Sequence, residues 1–186
     1  MVVLVGPSGS GKSTFAARHF TPTQVLSSDA LRALVADDAN DQTATDAAFE
    51  LLHTALAMRL AHRRLTVVDA TSVESWARQA LLAVARRLGR PAAAMVFNLP
   101  LATCLERNAV RTDRRLPPAA IRRQHARMLA SLDGLAAEGF DPIVVLSTSR
   151  PSRPQQWRQA TPRARWWWRA PRHGRSECPA PTPGPG

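Results

Sequence analysis

The stretch Gly6-Pro7-Ser8-Gly9-Ser10-Gly11-Lys12-Ser13, directly behind the apolar run Val2-Val3-Leu4-Val5, constrains this chain more than any other. It reads G-x-x-x-x-G-K-S between a predicted buried strand and a predicted helix, which is the setting of a phosphate-binding loop. Glycines let the backbone wrap a β-phosphate, and successive N–H groups at the helix N-terminus hold negative charge. Lys12 is the single lysine among 25 Lys+Arg. In so arginine-biased a chain, one retained ammonium marks a place where a planar guanidinium fits badly: the approach to β- and γ-phosphates. Ser13 offers a hydroxyl where Mg²⁺ needs an oxygen ligand. The loop predicts binding of a nucleoside triphosphate.

Composition divides the chain in two. Residues 1–149 carry 17 Lys+Arg against 13 Asp+Glu, whereas residues 150–186 carry eight arginines against one glutamate. Most of the net charge of +11 therefore belongs to the tail and says little about nucleic acid in the core. The tail also holds eight of 15 prolines and four of five tryptophans, including Trp166-Trp167-Trp168, and has neither a helical nor a strand period. We expect a domain over 1–148 and a Pro/Arg/Trp-rich tail over 149–186, disordered and dispensable for catalysis. Arginines interleaved with aromatics can stack on single strands. The blander source is a GC-rich gene read out of frame. Cys104 and Cys178 make no disulfide framework and no metal cluster, as suits a reducing cytoplasm. No apolar run is long enough to span a membrane, and the N-terminus enters the first strand without a signal peptide.

Within the core, apolar runs and helical periods alternate. Strands are expected at 2–5, 24–28, 65–69, 92–98 and 142–146, and helices at 13–20, 44–62, 74–88, 101–108 and 117–137. Phe49, Leu52, Leu56 and Leu60 lie on one face of the second of these helices. Trp76, Leu81, Val84 and Leu88 are expected to face inward on the third, which Gly89 and Pro91 stop. The alternation implies an α/β fold: a parallel sheet of about five strands in a three-layer sandwich, helices on both faces. Ligands in such sheets sit beyond the carboxyl ends of the strands. Asp29 and Asp69 end predicted strands there, and an arginine-rich segment follows the fourth.

Asp29 could accept the proton of a hydroxyl attacking the γ-phosphate, or could merely cap a helix beginning at Ala30. Asp69, in Leu65-Thr66-Val67-Val68-Asp69, has the form of a Walker-B carboxylate holding a magnesium-bound water, against an ordinary strand-end Asp. Arg107, Arg111 and Arg114 are spaced four and three apart, so one helical face would present three guanidiniums, as a lid that clamps phosphates requires. The bland alternative is a solvated basic helix. His19, His53, His62 and His125 show no metal-ligand spacing, and Cys104 is expected to pack.

These residues together resemble a family. Residues 1–148 are similar to the N-terminal polynucleotide 5′-hydroxyl kinase domain of bacterial kinase–phosphatase–ligase RNA repair proteins. The stretches that carry the resemblance are the P-loop through Thr14, Val25-Leu26-Ser27-Ser28-Asp29, Arg32, Asp37-Asp38-Ala39-Asn40-Asp41-Gln42-Thr43, Leu65-Thr66-Val67-Val68-Asp69-Ala70-Thr71, Val96-Phe97-Asn98-Leu99-Pro100, and Glu106-Arg107-Asn108 through Arg111-Thr112-Asp113-Arg114. The resemblance implies transfer of the ATP γ-phosphate to a polynucleotide 5′-hydroxyl, RNA ahead of DNA, with Asp29 as general base. It implies that Arg32 and Gln42 grip the phosphate next to the acceptor's terminal nucleoside, and that Lys12, Arg107 and Arg111 act on the transferring group. Gly6, Ser8, Gly9, Ser10, Gly11, Lys12, Ser13, Thr14 and the lid's Arg114 would then hold ATP, with Ser13 and Asp69 at Mg²⁺. Two departures stand out: Ser72 replaces the family's usual Asn after Asp-Ala-Thr, and no phosphatase or ligase module follows. A small-molecule alcohol kinase on the same scaffold, or a catalytically idle ATP-binding fragment or adaptor, are the alternatives.

Overall fold

The computed structural model describes residues 1–112 and 115–147. Five strands form one sheet: β1 (Val2–Val5), β2 (Val25–Ser27), β3 (Val67–Asp69), β4 (Ala93–Phe97) and β5 (Ile143–Leu146). Their order is β2-β3-β1-β4-β5, and every pairing is parallel. β1 is central, and its four apolar residues are buried on both faces, which is why it reads as a continuous hydrophobic run instead of an alternating one.

Helices α1 (Lys12–His19), α2 (Ser28–Ala36), α3 (Thr45–Ala61), α4 (Ser75–Arg87), α5 (Leu101–Ala109), α6 (Pro118–Ser131) and α7 (Leu135–Glu138) surround the sheet. Val3, Val5, Val68, Ala94 and Val96 point to one face. There they join Leu52, Leu56 and Leu60 of α3, Leu81, Leu82 and Ala85 of α4, Met128 of α6 and Leu135 of α7 in one core. Each such leucine, removed from water, contributes about 2 kcal/mol before entropy is counted. Phe97 alternates to the opposite face, where Phe15 of α1 packs edge-on against it with ring centroids 5.4 Å apart. The α/β three-layer architecture expected from the sequence is the one observed, with strand ends differing by one or two residues.

Three details differ from expectation. The predicted helix over 117–137 is broken by a 3₁₀ turn, Leu132–Gly134, between α6 and α7. Glycine there removes helix propensity and lets Leu135 turn inward to full burial. Trp76 does not face inward: it is 75% exposed on the first turn of α4, while Arg78 takes the buried position. α2, absent from the periodic pattern because it is only nine residues long, follows β2 without a loop. The 149–186 tail, and with it the expectation of disorder, lies outside the described residues. No helix among those described is long and apolar enough to cross a membrane.

Candidate active site

Strand register gathers the site. Asp69 is the Cα partner of both Leu4 on β1 and Ser27 on β2. Gly6 lies two residues past Leu4, and Asp29 two residues past Ser27, so the loop, Asp69 and Asp29 emerge side by side at the carboxyl edge.

The loop's glycines answer to local geometry. At Gly9 (φ +79°) an added Cβ would stand 2.3 Å from the carbonyl oxygen of Cys104, so the backbone runs directly over α5. At Gly11 (φ +94°), the N-terminal cap of α1, a Cβ would lie 3.4 Å from Nη1 of Arg107. The bare backbone thus faces a guanidinium across the loop mouth. Lys12 is buried, and its Nζ donates to the carbonyls of Gly6 (2.8 Å) and Pro7 (2.9 Å). Burial lowers its pKa to about 8, against the pull of Asp69, Cys104 and Asp29. The buried Ser10 hydroxyl has no hydrogen-bond partner among the described residues.

Asp69 is buried, and burial raises its pKa, while a hydrogen bond with the Ser13 side chain and the charge of Lys12 oppose that rise. Hydroxyl and carboxylate therefore sit together at the head of α1. Among the described residues no group of three or more His, Cys, Asp or Glu could hold a metal ion. A hydroxyl and one carboxylate beside a phosphate cradle nonetheless suit Mg²⁺, which takes few protein ligands and completes its shell with water and substrate phosphates. The orphaned Ser10 hydroxyl, the uncapped N-terminus of α1 and the buried ammonium likewise fit a polyphosphate.

Asp29 does not cap the following helix. Ser27 does, its Oγ accepting from the Ala30 N–H at 3.4 Å. Asp29 instead stands in the first turn of α2, within electrostatic reach of Lys12 and Asp69. Its carboxylate accepts from Nη1 of Arg32 at 2.7 Å. Arg32 is only 5% exposed and also donates to the carbonyl of Ala39 at 2.8 Å, tying α2 to the acidic loop behind it. Its Nε has no partner among the described residues. Gln42 is exposed at the start of a 3₁₀ turn, Nε2 donating to the carbonyl of Asn40 at 3.0 Å.

Arg107 and Arg111 of the expected lid do not share one helical face. α5 ends at Ala109, so Arg107 is helical, Arg111 lies beyond the C-terminus, and Arg114 falls outside the described residues. Arg107 faces Gly11, and Arg111 lies close enough to Lys12 and Asp69 to influence both. Ser8 and Thr14 complete the loop set. Ser8 donates its backbone N–H to Oε1 of Gln124 on α6 at 2.9 Å. Cys104 is fully buried under Gly9, as expected of a packing residue.

A strand, a G-x-x-x-x-G-K-S loop opening a helix, and a strand-end carboxylate beside the loop's serine define a P-loop kinase fold. The chain belongs to the AAA domain family, whose model matches residues 1–135. In a comparison of structures, a protein of the Pnkp1/Rnl/Hen1 RNA repair complex aligns with a TM-score of 0.60 at 21% identity, over 71% of this chain and 44% of its own. A sugar kinase from a Janibacter species aligns with a TM-score of 0.55 at 20% identity, over 88% and 96%. A gluconokinase from Sinorhizobium meliloti gives 0.50 at 22%, over 81% and 83%. The chain thus spans less than half of the repair-complex protein and nearly all of the sugar kinase. A comparison of the sequence with curated proteins gives no match.

Gln124 has no motif around it that marks it in the sequence. Arg78 does carry a signal: a charge three and four residues before Leu81 and Leu82, on the buried stripe of α4. Ser72 has φ +48°, a left-handed conformation that Asn tolerates better than Ser.

Proposed function

We propose that this chain transfers the γ-phosphate of ATP to the 5′-hydroxyl end of a polynucleotide, RNA ahead of DNA, in nucleic-acid end repair. The observation that carries the reading is the convergence, at one sheet edge, of a phosphate loop, Asp69 and a second carboxylate, Asp29, whose own helix is capped by another residue. A carboxylate released from capping and set beside the donor site suits removal of a proton from an attacking alcohol. Lys12 and the backbone of residues 6–14 would hold the β- and γ-phosphates, and Arg107 and Arg111 would meet charge that develops during transfer. Ser13 and Asp69 would hold Mg²⁺, which when bound supplies charge neutralisation at the phosphate oxygens. Arg32 keeps the base in place and, with Gln42, would meet the phosphate next to the reacting end. The resemblance of 1–148 to polynucleotide kinase domains supports this choice of acceptor. Action in the cytoplasm is part of the same reading.

The sugar-kinase likeness, over almost the full length of both chains, favours a second reading: a small-molecule alcohol kinase on the same scaffold. Transfer from labelled ATP, compared for 5′-OH RNA, 5′-OH DNA, gluconate and simple alcohols, separates the two. Label on RNA ends ahead of DNA supports the proposal, label on a sugar replaces it, and ATP binding without transfer to any acceptor leaves an idle ATP-binding module.

A further inference from the structure

The turn that leads the chain out of Asp69 and into α4 is held by a side chain to which the reaction above gives no role. Arg78 is completely buried, and all three of its guanidinium nitrogens are bonded. Nη1 donates to the carbonyls of Ser72 (3.0 Å) and Val73 (2.8 Å). Nε and Nη2 donate to the two carboxylate oxygens of Glu138, at 2.7 and 2.5 Å. Glu138 closes α7 and also accepts from the Ser75 hydroxyl at 3.1 Å. One face of the guanidinium fork thus grips the backbone three and four residues past Asp69, and the other is anchored to a distant helix.

The gripped turn is also joined to the phosphate loop. Ser72 sits in a left-handed conformation that the surroundings must hold, and the carbonyl of Thr71 accepts from the N–H of Gly6 at 3.1 Å. An ion pair on a fully buried arginine is a poor choice if holding α4 against α7 is its whole purpose, because apolar residues of similar volume do that at least as well. What an apolar pair cannot supply is a grip on two carbonyls.

We propose that Arg78, backed by Glu138, is a positioning residue: it fixes the 69–73 turn and so aims the Asp69 carboxylate at the metal position beside Ser13. This role rests on the reading of the loop as a Mg²⁺–nucleoside triphosphate site and does not depend on which acceptor is phosphorylated.

The test compares full-length wild type, Arg78→Met/Glu138→Leu and Arg78→Lys. The measurements are melting temperature, affinity for a fluorescent ATP analogue in EDTA, and the Mg²⁺ concentration that half-saturates the metal-dependent gain in that affinity. The double variant removes the grip without stranding a buried charge. It is expected to stay folded and to bind the metal-free nucleotide nearly as wild type does, with a Mg²⁺ half-saturation point raised about tenfold, the usual effect of losing a residue that orients a ligand. Arg78→Lys, which cannot reach both carbonyls and Glu138, should fall between. A folded variant with wild-type Mg²⁺ dependence, or one losing metal-free and metal-dependent binding equally, overturns the role. Should the double variant fail to fold, Arg78→Lys decides on the same criterion. A wild type whose nucleotide affinity ignores Mg²⁺ would overturn the reading of the site and this role with it, whereas failure of the variants alone touches only Arg78.

Discussion

Lys12 combines burial with a pKa of about 8, and this makes its charge titratable in a useful range. Because burial lowers the pKa to about 8, the ammonium is nearly complete a unit below that value, half lost at it and lost further as pH rises. Phosphate binding favours the charged form, so ATP affinity measured in EDTA should be flat up to about a unit below that value. Above the pKa it should fall by about tenfold per unit until the bound-state pKa is reached. Lys12→Arg should show no such fall between pH 7 and 9.5, yet its planar group should lower turnover by about 10²-fold. An identical pH profile in both proteins would take Lys12 out of the phosphate site. Asp29 calls for a different measurement. Asp29→Asn keeps the shape of its contact with Arg32 and removes the base, so ATP affinity should hold while transfer falls by about 10²-fold or more. A parallel loss of melting temperature and ATP affinity would make the residue structural. Arg32→Ala cannot probe the acceptor cleanly, since it removes a buried partner of Asp29. The exposed Gln42 can: Gln42→Ala should raise KM for a polynucleotide more than for a nucleoside lacking the next phosphate, and the difference should shrink as salt rises.

At the scale of elements, legibility followed length and local chemistry. Strands of Val and Leu stand out as continuous apolar runs, and the long α3 through its stripe of Leu52, Leu56 and Leu60 at a spacing of four, all of which are buried. The nine-residue α2 and the break between α6 and α7 did not, since each depends on one cap or one glycine and on tertiary packing. Trp76 shows the same limit: the helical stripe was right, but its bulkiest member lies outside it, and an arginine with a carboxylate partner took the place. The P-loop was legible as a motif and Asp69 as a strand end, whereas Asp29, expected to end the second strand, stands in the first turn of α2. Contacts made across the fold were not legible, because nothing near Gln124 in sequence announces that its amide reaches the phosphate loop. That contact joins α6 to the loop at Ser8. Gln124→Leu removes a hydrogen bond worth about 1 kcal/mol, so melting temperature should fall by a few degrees and KM for ATP should rise, by at most about fivefold, as the loop loses its support. An unchanged KM would mean that the loop holds its shape without α6.

On the scale of the whole molecule, the question is which parts catalysis needs. Strands β1, β2 and β3 bring the candidate residues together, α5 and α6 flank the loop, and β4 and β5 extend the sheet behind them. All of these lie within residues 1–147, so the donor and acceptor groups proposed here belong to one folded unit with its own core. The repair-complex protein is more than twice as long as the region it shares with this chain. Deleting 148–186 should therefore leave ATP affinity and transfer to a short 5′-OH oligonucleotide within about twofold of the full chain, because no residue assigned to donor or acceptor binding is removed. The tail's eight arginines and four tryptophans give the experiment a second readout. If they engage single strands, truncation should weaken binding of long RNA and flatten its salt dependence, since each lost phosphate contact removes a released counterion. Unchanged RNA affinity and salt slope would favour an out-of-frame origin for the tail. Loss of ATP binding on truncation would show instead that the tail completes the nucleotide site.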